Sequence, residues 1–431
     1  MALAPLDWLF SLAQFGVKFG LDNIHALVAE LGHPERHYRT VHVAGTNGKG
    51  SVTALVERAL RHAGLRTGRY TSPHLLDLSE RFAIDGTPVS QADMVAAVET
   101  VRAAVERLRD RGVLEVHPTF FEVTTTVGFE LFRRQHVDIA VCEVGLGGRL
   151  DATNVLSPMA CAITSIAFDH EQYLGHTLRE IASEKAGILK PGVPVVVGPM
   201  SAEAAEAIMA RATAVGAPLT WAMDDVALGP VVALPSGAQR FTVRTPACDY
   251  RAVELALAGL HQVTNAVVAV RLLEQLESSG LRIGTSAVVA ALASVRWPGR
   301  LEQISLPDGR SALLDAAHNA AGAEALAVHL DRLGNRYPLV FATMRDKDVT
   351  MMIRTLAPCA SHIVVTRASN PRSAEPTELA ALIGRLAPGV QVEVADTPAE
   401  ALARAWNASP HIVVAGSLFL LADVMKELGR S

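Results

Sequence analysis

Val41-His42-Val43-Ala44-Gly45-Thr46-Asn47-Gly48-Lys49-Gly50-Ser51 is a short β-branched run that breaks into a glycine-rich loop carrying one lysine. After a strand, such a loop turns several backbone N–H groups onto one anion, and the helix that follows presents its positive dipole end to the same charge. The stretch reads as a phosphate cradle for a nucleoside triphosphate, and it sets an α/β unit at this point of the chain. Gly45, Gly48 and Gly50 leave room for the backbone to approach phosphate oxygens, Lys49 reaches the β- and γ-oxygens, and the Ser51 hydroxyl reaches Mg²⁺. The spacing is a variant of the common form. Gly50 intervenes between Lys49 and the hydroxyl residue, and Val43 stands five positions before Gly48, where the common form has glycine.

Outward from this loop, β-rich runs alternate with helical patterns. The first helix is expected where Leu21, Ile24, Leu27, Val28 and Leu31 form one apolar stripe, with Asp22-Asn23 at its start and Gly32 at its end. Strands are expected at 39–44, 66–71, 137–143, 160–166, 193–198, 301–306, 311–315, 337–343, 361–366 and 411–415. Such alternation predicts an α/β fold of parallel sheets covered by helices. Between Trp221 and Ala256 the pattern turns to short strands with Pro and Gly turns, a small β-rich excursion placed at about 218–257. Arg296-Trp297-Pro298-Gly299-Arg300 breaks a helix and precedes a fresh βα series. The domain boundary is placed there: a nucleotide-binding P-loop domain over 1–296 and a Rossmann-like α/β domain over 297–431.

Composition narrows the class. The 431 residues are 50% hydrophobic, yet no uncharged stretch reaches the ~18–20 apolar residues of a membrane span; the longest candidate, 412–422, is too short. Asp7 precedes the first basic residue, Lys18, so the positive n-region of a secretory signal is missing and a cytoplasmic location is expected. Cys142, Cys161, Cys248 and Cys359 are scattered with no C-x-x-C pair, as for reduced thiols in core packing. A net charge of −5 gives no electrostatic footprint for nucleic acid. Small-molecule chemistry is the expectation, with no nucleic-acid or membrane partner.

Two further segments carry more polar chemistry than a core tolerates. Glu143 ends an apolar strand and opens Glu143-Val144-Gly145-Leu146-Gly147-Gly148-Arg149-Leu150-Asp151-Ala152-Thr153-Asn154. A carboxylate at the C-terminal end of a parallel strand sits where open α/β sheets bind ligands, so Glu143 is a candidate Mg²⁺ ligand beside the nucleotide loop. The structural alternative is a sharp turn closed by an Arg149–Asp151 ion pair. Asp169-His170 ends the next strand with a hard acid group and an imidazole; His170 is a candidate ligand or a hydrogen-bonded surface histidine.

Taken in order, five motifs make the chain resemble the folylpolyglutamate synthase and bifunctional dihydrofolate synthase family, within the Mur ligase superfamily. They are Phe15-Gly16-Val17-Lys18-Phe19-Gly20-Leu21, Gly45 to Ser51, Thr71-Ser72-Pro73-His74-Leu75, Glu143 to Asn154, and Asp315-Ala316-Ala317-His318-Asn319. The turn Ala415-Gly416-Ser417-Leu418 resembles the family's C-terminal end. The resemblance implies an ATP-dependent amide ligase that joins L-glutamate to dihydropteroate or to the terminal glutamate of a reduced folate through an acyl phosphate. It implies ATP and two Mg²⁺ ions, a glutamate-ligase type of C-terminal domain, and a monomer.

Residue by residue, the resemblance makes Ser72, Glu143 and His170 the Mg²⁺ ligands, with Ser51 close to the phosphates. Lys49 and Arg300 would stabilise charge on the transferring phosphoryl group. Lys185, in Ser183-Glu184-Lys185-Ala186-Gly187, matches a lysine that family members carbamylate, although residue type alone reads it as a solvated helix lysine. Thr46, Asn47, Asn265, Arg300, Asp315 and His318 fall to the nucleotide, Asn265 near adenine. His74 and Arg81 lie in what resembles the mobile loop beside the folate. Thr119, Phe120, Phe121 and Asp151 are the candidates for the pterin, because an aromatic stacks on a flat heterocycle and a carboxylate pairs with its amino group. For glutamate the candidate is the loop 369–372 with Arg372, whose ordinary reading is structural.

Three other functions compete. A UDP-muramyl-type amino-acid ligase is disfavoured because about 40 residues precede Gly45, too few for a separate UDP-binding domain. A nucleotide-switch or scaffold module does not need Glu143, His170 and Lys185 together. A dinucleotide dehydrogenase does not fit, since the loop is not G-x-G-x-x-G.

Overall fold

A computed structural model describes residues 3–16 and 18–430. Val17 of the Phe15–Leu21 motif lies outside the described residues. Strand Arg39–Ala44 lies inside an eight-stranded sheet whose spatial order is Thr87–Pro88, Phe82–Ile84, Thr67–Tyr70, Ile139–Glu143, Arg39–Ala44, Ala160–Ile163, Val195–Val197 and Leu219–Trp221. The last six of these run parallel, and the hairpin of the first two is antiparallel. Val43 lies opposite Glu143 and Ala44 opposite Ile163. This register sets the glycine loop, the Glu143 loop and the loop after Ile163 side by side at the C-terminal edge of the sheet, where open α/β sheets hold ligands.

Both faces of the sheet are covered. Helices Asp22–Glu30, Gln91–Asp110 and Phe120–Arg134 bury Ile24, Val98 and Phe129 on one side. Helices Lys49–His62, Leu260–Ser278 and Thr285–Ser294 close the other and pack on a separate antiparallel sheet built from Ala227–Leu228, Val232–Ala233, Gln239–Arg244 and Asp249–Leu255. Along Gln239–Arg244 buried and exposed residues alternate strictly, as a one-sided sheet requires.

The second large sheet has six strands in the order Glu302–Ser305, Ser311–Asp315, His411–Ala415, Tyr337–Phe341, Ala360–Val365 and Gln391–Val394. All neighbours are parallel except the first pair. Asp315 lies opposite Ala415, so the loops that follow these two strands emerge together.

The ten predicted strands are present. The structure corrects the pattern reading at its edges. Helix Pro5–Ser11 precedes the expected first helix, and Leu219–Trp221 joins the parallel sheet rather than the β-rich excursion. Phe82–Ile84, Thr87–Pro88 and Gln391–Val394 are strands of two to four residues at or next to a sheet edge, too short to show a period. Among the described residues no helix is long and apolar enough to cross a membrane. All four cysteines are free, and three of them are buried.

Candidate active site

Helix Lys49–His62 begins at Gly48, whose φ of 87° belongs to the left-handed region and whose hydrogen side chain offers no cap. The first N–H groups of a 14-residue helix are thus left for whatever enters. The loop before it is anchored to the neighbouring strand end. Thr46 N–H donates to the Ser165 carbonyl at 2.7 Å, Asn47 N–H to Ser165 Oγ at 3.1 Å, and Thr164 Oγ1 to the Asn47 carbonyl at 2.6 Å. Lys49 Nζ donates to the Thr46 carbonyl at 3.2 Å and lies 3.9 Å from the Glu143 carboxylate.

The loop glycines have a second role that pattern reading missed. A β-carbon on Gly45 would lie 2.0 Å from Thr164 Oγ1, on Gly48 2.4 Å from Asn265 Oδ1, and on Gly50 2.6 Å from the Trp297 indole. These positions admit neighbouring side chains as well as phosphate. Trp297 on the linker explains why glycine rather than a hydroxyl residue follows Lys49.

Around the loop is a cavity of about 360 Å³ lined by both domains. The first domain contributes Gly45 to Ser51, Ser72, Glu143, His170, Lys185 and Asn265; the second contributes Arg300, Asp315 and His318. Glu143 is 5% exposed, and burial raises its carboxyl above the usual range while Lys49 pulls it back. Ser72 N–H reaches Glu143 Oε2 at 3.4 Å, and the buried Ser72 Oγ has no hydrogen-bond partner. Burial holds the His170 imidazole down at about 4, so it is neutral at pH 7 and able to ligate.

An orphaned hydroxyl, a buried carboxylate and a neutral imidazole on one cavity fit a hard divalent cation. Among the described residues no group of three His, Cys, Asp or Glu side chains is arranged to hold a metal ion by itself. Mg²⁺ suits that set, since it takes few protein ligands and completes its shell with water and phosphate oxygens.

Where the domains meet, Asp169 is the hub. Its carboxylate lies 2.5 Å from Lys347 Nζ, 3.5 Å from His318 Nε2 and 3.9 Å from His170 Nε2, and it accepts from Asn319 Nδ2 at 3.0 Å. Burial opposes its charge, but the hydrogen bond and charge of His318 and the charge of Lys347 win, holding the carboxyl well below the usual range. Asn319 and Asn47 exchange amide hydrogen bonds across the cleft at 3.1 and 3.2 Å. Asp315 accepts from the Leu301 and Ala317 N–H groups, each at 2.9 Å, which shapes the turn that carries Arg300 and His318. The Arg300 guanidinium is pulled down by burial and faces Asp315 and Glu143. Lys347 carries no motif signal within its own segment; only the second domain's docking brings it to Asp169.

Lys185, at the end of helix Leu178–Lys185, is 5% exposed, so its reading as a solvated lysine is corrected. Its Nζ donates to the Gly45 carbonyl at 2.9 Å, and burial, with Lys49 nearby, lowers it to about 7.

The substrate-side candidates lie apart from the cavity lining. Arg81 Nε donates to His74 Nδ1 at 2.9 Å, and its guanidinium lies 5.4 Å from the Phe120 ring centre, so these three form one cluster. Phe121 packs under Gly145, where a β-carbon would meet its ring at 2.3 Å. Thr119 caps helix Phe120–Arg134 and shares a reciprocal capping box with Glu122. Asp151 is 4% exposed and organises its own loop: it accepts from the Gly145, Leu146 and Thr153 N–H groups at 2.9–3.0 Å. The Arg149–Asp151 ion pair is absent; Arg149 pairs with Glu184 at 2.9 Å. Arg372 lies 3.7 Å from Asp346, outside the cavity lining.

Residues 43–273 match the Mur ligase middle domain, and residues 299–418 the Mur ligase glutamate ligase domain. The chain is 35% identical over 426 residues to the dihydrofolate synthase/folylpolyglutamate synthase of Bacillus subtilis, covering 98% of each. It superposes on Mycobacterium tuberculosis folylpolyglutamate synthase complexed with ADP with a TM-score of 0.92, at 34% identity and 99% coverage of both chains. It also superposes on the E. coli FolC complex with DHPP and ADP with a TM-score of 0.86, at 27% identity, covering 99% of this chain and 98% of that one.

Proposed function

We propose, for a chain that belongs to the Mur ligase family and within it to the folylpolyglutamate synthase/dihydrofolate synthase branch, the ATP-dependent ligation of L-glutamate to dihydropteroate or to the terminal glutamate of a reduced folate. One observation carries this reading: an uncapped helix N-terminus, Lys49, Glu143 and Arg300 face one cavity that both domains close.

A carboxylate does not react with an amine, so the acceptor carboxylate oxygen first attacks the γ-phosphorus of ATP and ADP leaves. The glutamate nitrogen then attacks the acyl carbon and loses a proton, and the C–O bond to phosphate breaks. Both steps gather negative charge on oxygen. The open N–H groups after Gly48, the Lys49 ammonium and the Arg300 guanidinium stand ready for that charge without reorganising. Ser72, Glu143 and His170, with Ser51, are the residues that would hold Mg²⁺, which when bound supplies positive charge against the transferring phosphoryl group. The contacts of Asp169 and Asn47 with Lys347, His318 and Asn319 bridge the cleft, and a cleft held closed in this way would keep water from the acyl phosphate.

Lys185 supports a further element of this reading. A buried amine lowered to about 7 is partly unprotonated at neutral pH, the form that adds to CO₂ to give a carbamate. Lys185→Ala is expected to abolish turnover and to leave nucleotide binding intact; unaltered turnover removes this role. The flat heterocycle is assigned to the cluster of His74, Arg81 and Phe120, which offers an aromatic face beside a guanidinium.

The deciding experiment measures ADP release with ATP, Mg²⁺ and L-glutamate, comparing dihydropteroate, a tetrahydrofolate and no acceptor, with products weighed by mass spectrometry. A gain of one glutamyl unit on either acceptor supports the reading. ATP binding without product on both acceptors rejects it.

A further inference from the structure

A second cavity, of about 380 Å³, lies on the other side of Pro73, Arg300 and Leu418, which line both spaces. Arg58, Arg61, Arg69, Arg296 and Arg300 line it, against only two acids, Glu57 and Glu80. Both acids are already engaged. Glu57, 1% exposed, accepts from Thr67 Oγ1 at 2.6 Å, and Glu80 accepts from the Leu75, Leu76 and Asp77 N–H groups at 2.7–2.8 Å.

The arginines are only partly satisfied. Arg58 Nε donates to Ser294 Oγ at 3.0 Å, and Arg61 donates to the Asp85 carbonyl. Arg69 lies 5.1 Å from the Trp297 ring centre and 3.7 Å from Glu57, and its buried Nε has no partner. A fold seldom leaves a buried guanidinium N–H unpaired, because the lost hydration is not recovered. Five guanidinium groups against two engaged acids leave the cavity with surplus positive charge that an anion offsets, and guanidinium groups recognise carboxylates in a planar, two-bonded geometry.

We infer that this arginine-lined cavity binds the carboxylates of a glutamyl unit and presents its owner to the nucleotide cavity through the gap at Pro73, Arg300 and Leu418. The inference rests on the ligase reading above. The 71–81 segment divides the two approaches: Arg81, bonded to His74, lies over Phe120, whereas Thr71, Pro73 and Leu75 line the arginine side. Free L-glutamate and the γ-glutamyl tail of an acceptor share this chemistry.

Full-length Arg69→Gln and the double variant Arg58→Gln/Arg296→Gln separate the two, the second drawn from half-buried and exposed side chains in case the first fails to fold. If the cavity holds free L-glutamate, its KM rises roughly tenfold or more, the loss expected for a charge-assisted bond. The KM for ATP stays within about twofold, and Arg58→Lys/Arg296→Lys recovers part of the loss. If it holds the acceptor's tail, the KM for a glutamylated folate rises while those for L-glutamate and dihydropteroate stay unchanged. Folded variants with every KM unchanged, or with the KM for ATP rising in step, overturn the inference. Titration of wild type and double variant with L-glutamate and with glutarate, in the presence of a non-hydrolysable ATP analogue, decides the site without turnover. Wild-type protein that makes no glutamyl product refutes the ligase reading; equal binding by wild type and variant refutes the cavity.

Discussion

Two helices turn their N-termini toward the same cavity from opposite domains, and only one of them is capped. Lys49–His62 starts at Gly48 with no side chain on its first N–H groups, whereas Ala320–Leu333 starts at Asn319, whose Oδ1 accepts from Gly322 N–H at 2.8 Å. The amide of Asn319 is engaged further, with Asn47 and Asp169. The same contrast runs through the polar groups nearby. Ser72 Oγ is buried without a partner and the nearest cation to Glu143 is 3.9 Å away, while Asp169 has Lys347, His318 and Asn319 within 3.5 Å. An unsatisfied buried group costs stability and persists where a ligand completes it; a satisfied one belongs to the architecture. The cavity therefore has a reactive wall and a supporting wall, and substitutions on the two should differ in kind.

On the reactive wall, Lys49→Ala is expected to lower ADP release by about 10³-fold, on the order of 4 kcal/mol, with the urea midpoint unchanged. A loss of stability in parallel would erase the distinction. On the supporting wall, Lys347→Met leaves the buried Asp169 charge under-compensated and should cost about 3 kcal/mol in urea unfolding. An unchanged midpoint would mean that Lys347 serves the ligand instead.

Lys185 sharpens the comparison through pH. Its folded value of about 7 lies below the ordinary 10.5, so the folded state releases a proton that the unfolded state keeps between these limits. Stability from this group then rises with pH across that window, and its burial costs most at pH 7 and below. In CO₂-free buffer Lys185→Met should exceed wild type by roughly 1–3 kcal/mol at pH 6.5, with the gap closing towards pH 10. A gap independent of pH would contradict the buried-amine account. Ser72→Ala should shift the Mg²⁺ requirement upward roughly tenfold, while removal of a partnerless hydroxyl leaves thermal stability within about 0.5 kcal/mol. Asn319→Ala removes a cap and should cost about 1 kcal/mol.

The chemistry at strand ends was legible because it is local. Gly45 to Ser51, Glu143, His170, Asp315 and His318 each follow an apolar run, and the strand they end can be recognised from its own residues. The short strands near the sheet edges, Leu219–Trp221 among them, were not, since two to four residues carry no period and their membership depends on which neighbour they meet.

By itself the sequence determined an alternation of strands and helices, a lysine-bearing loop at one strand end and the ordered motifs of a ligase family, because β-branched runs, glycine breaks and capping residues act within a few positions of themselves. Only the tertiary structure decided that Gly50 makes room for Trp297, that Lys185 is buried on the Gly45 carbonyl, that Lys347 reaches Asp169 across the cleft, and that five arginines surround one space. Those outcomes are set by the docking of residues far apart in the chain, where packing and burial, not local pattern, fix what each charge meets.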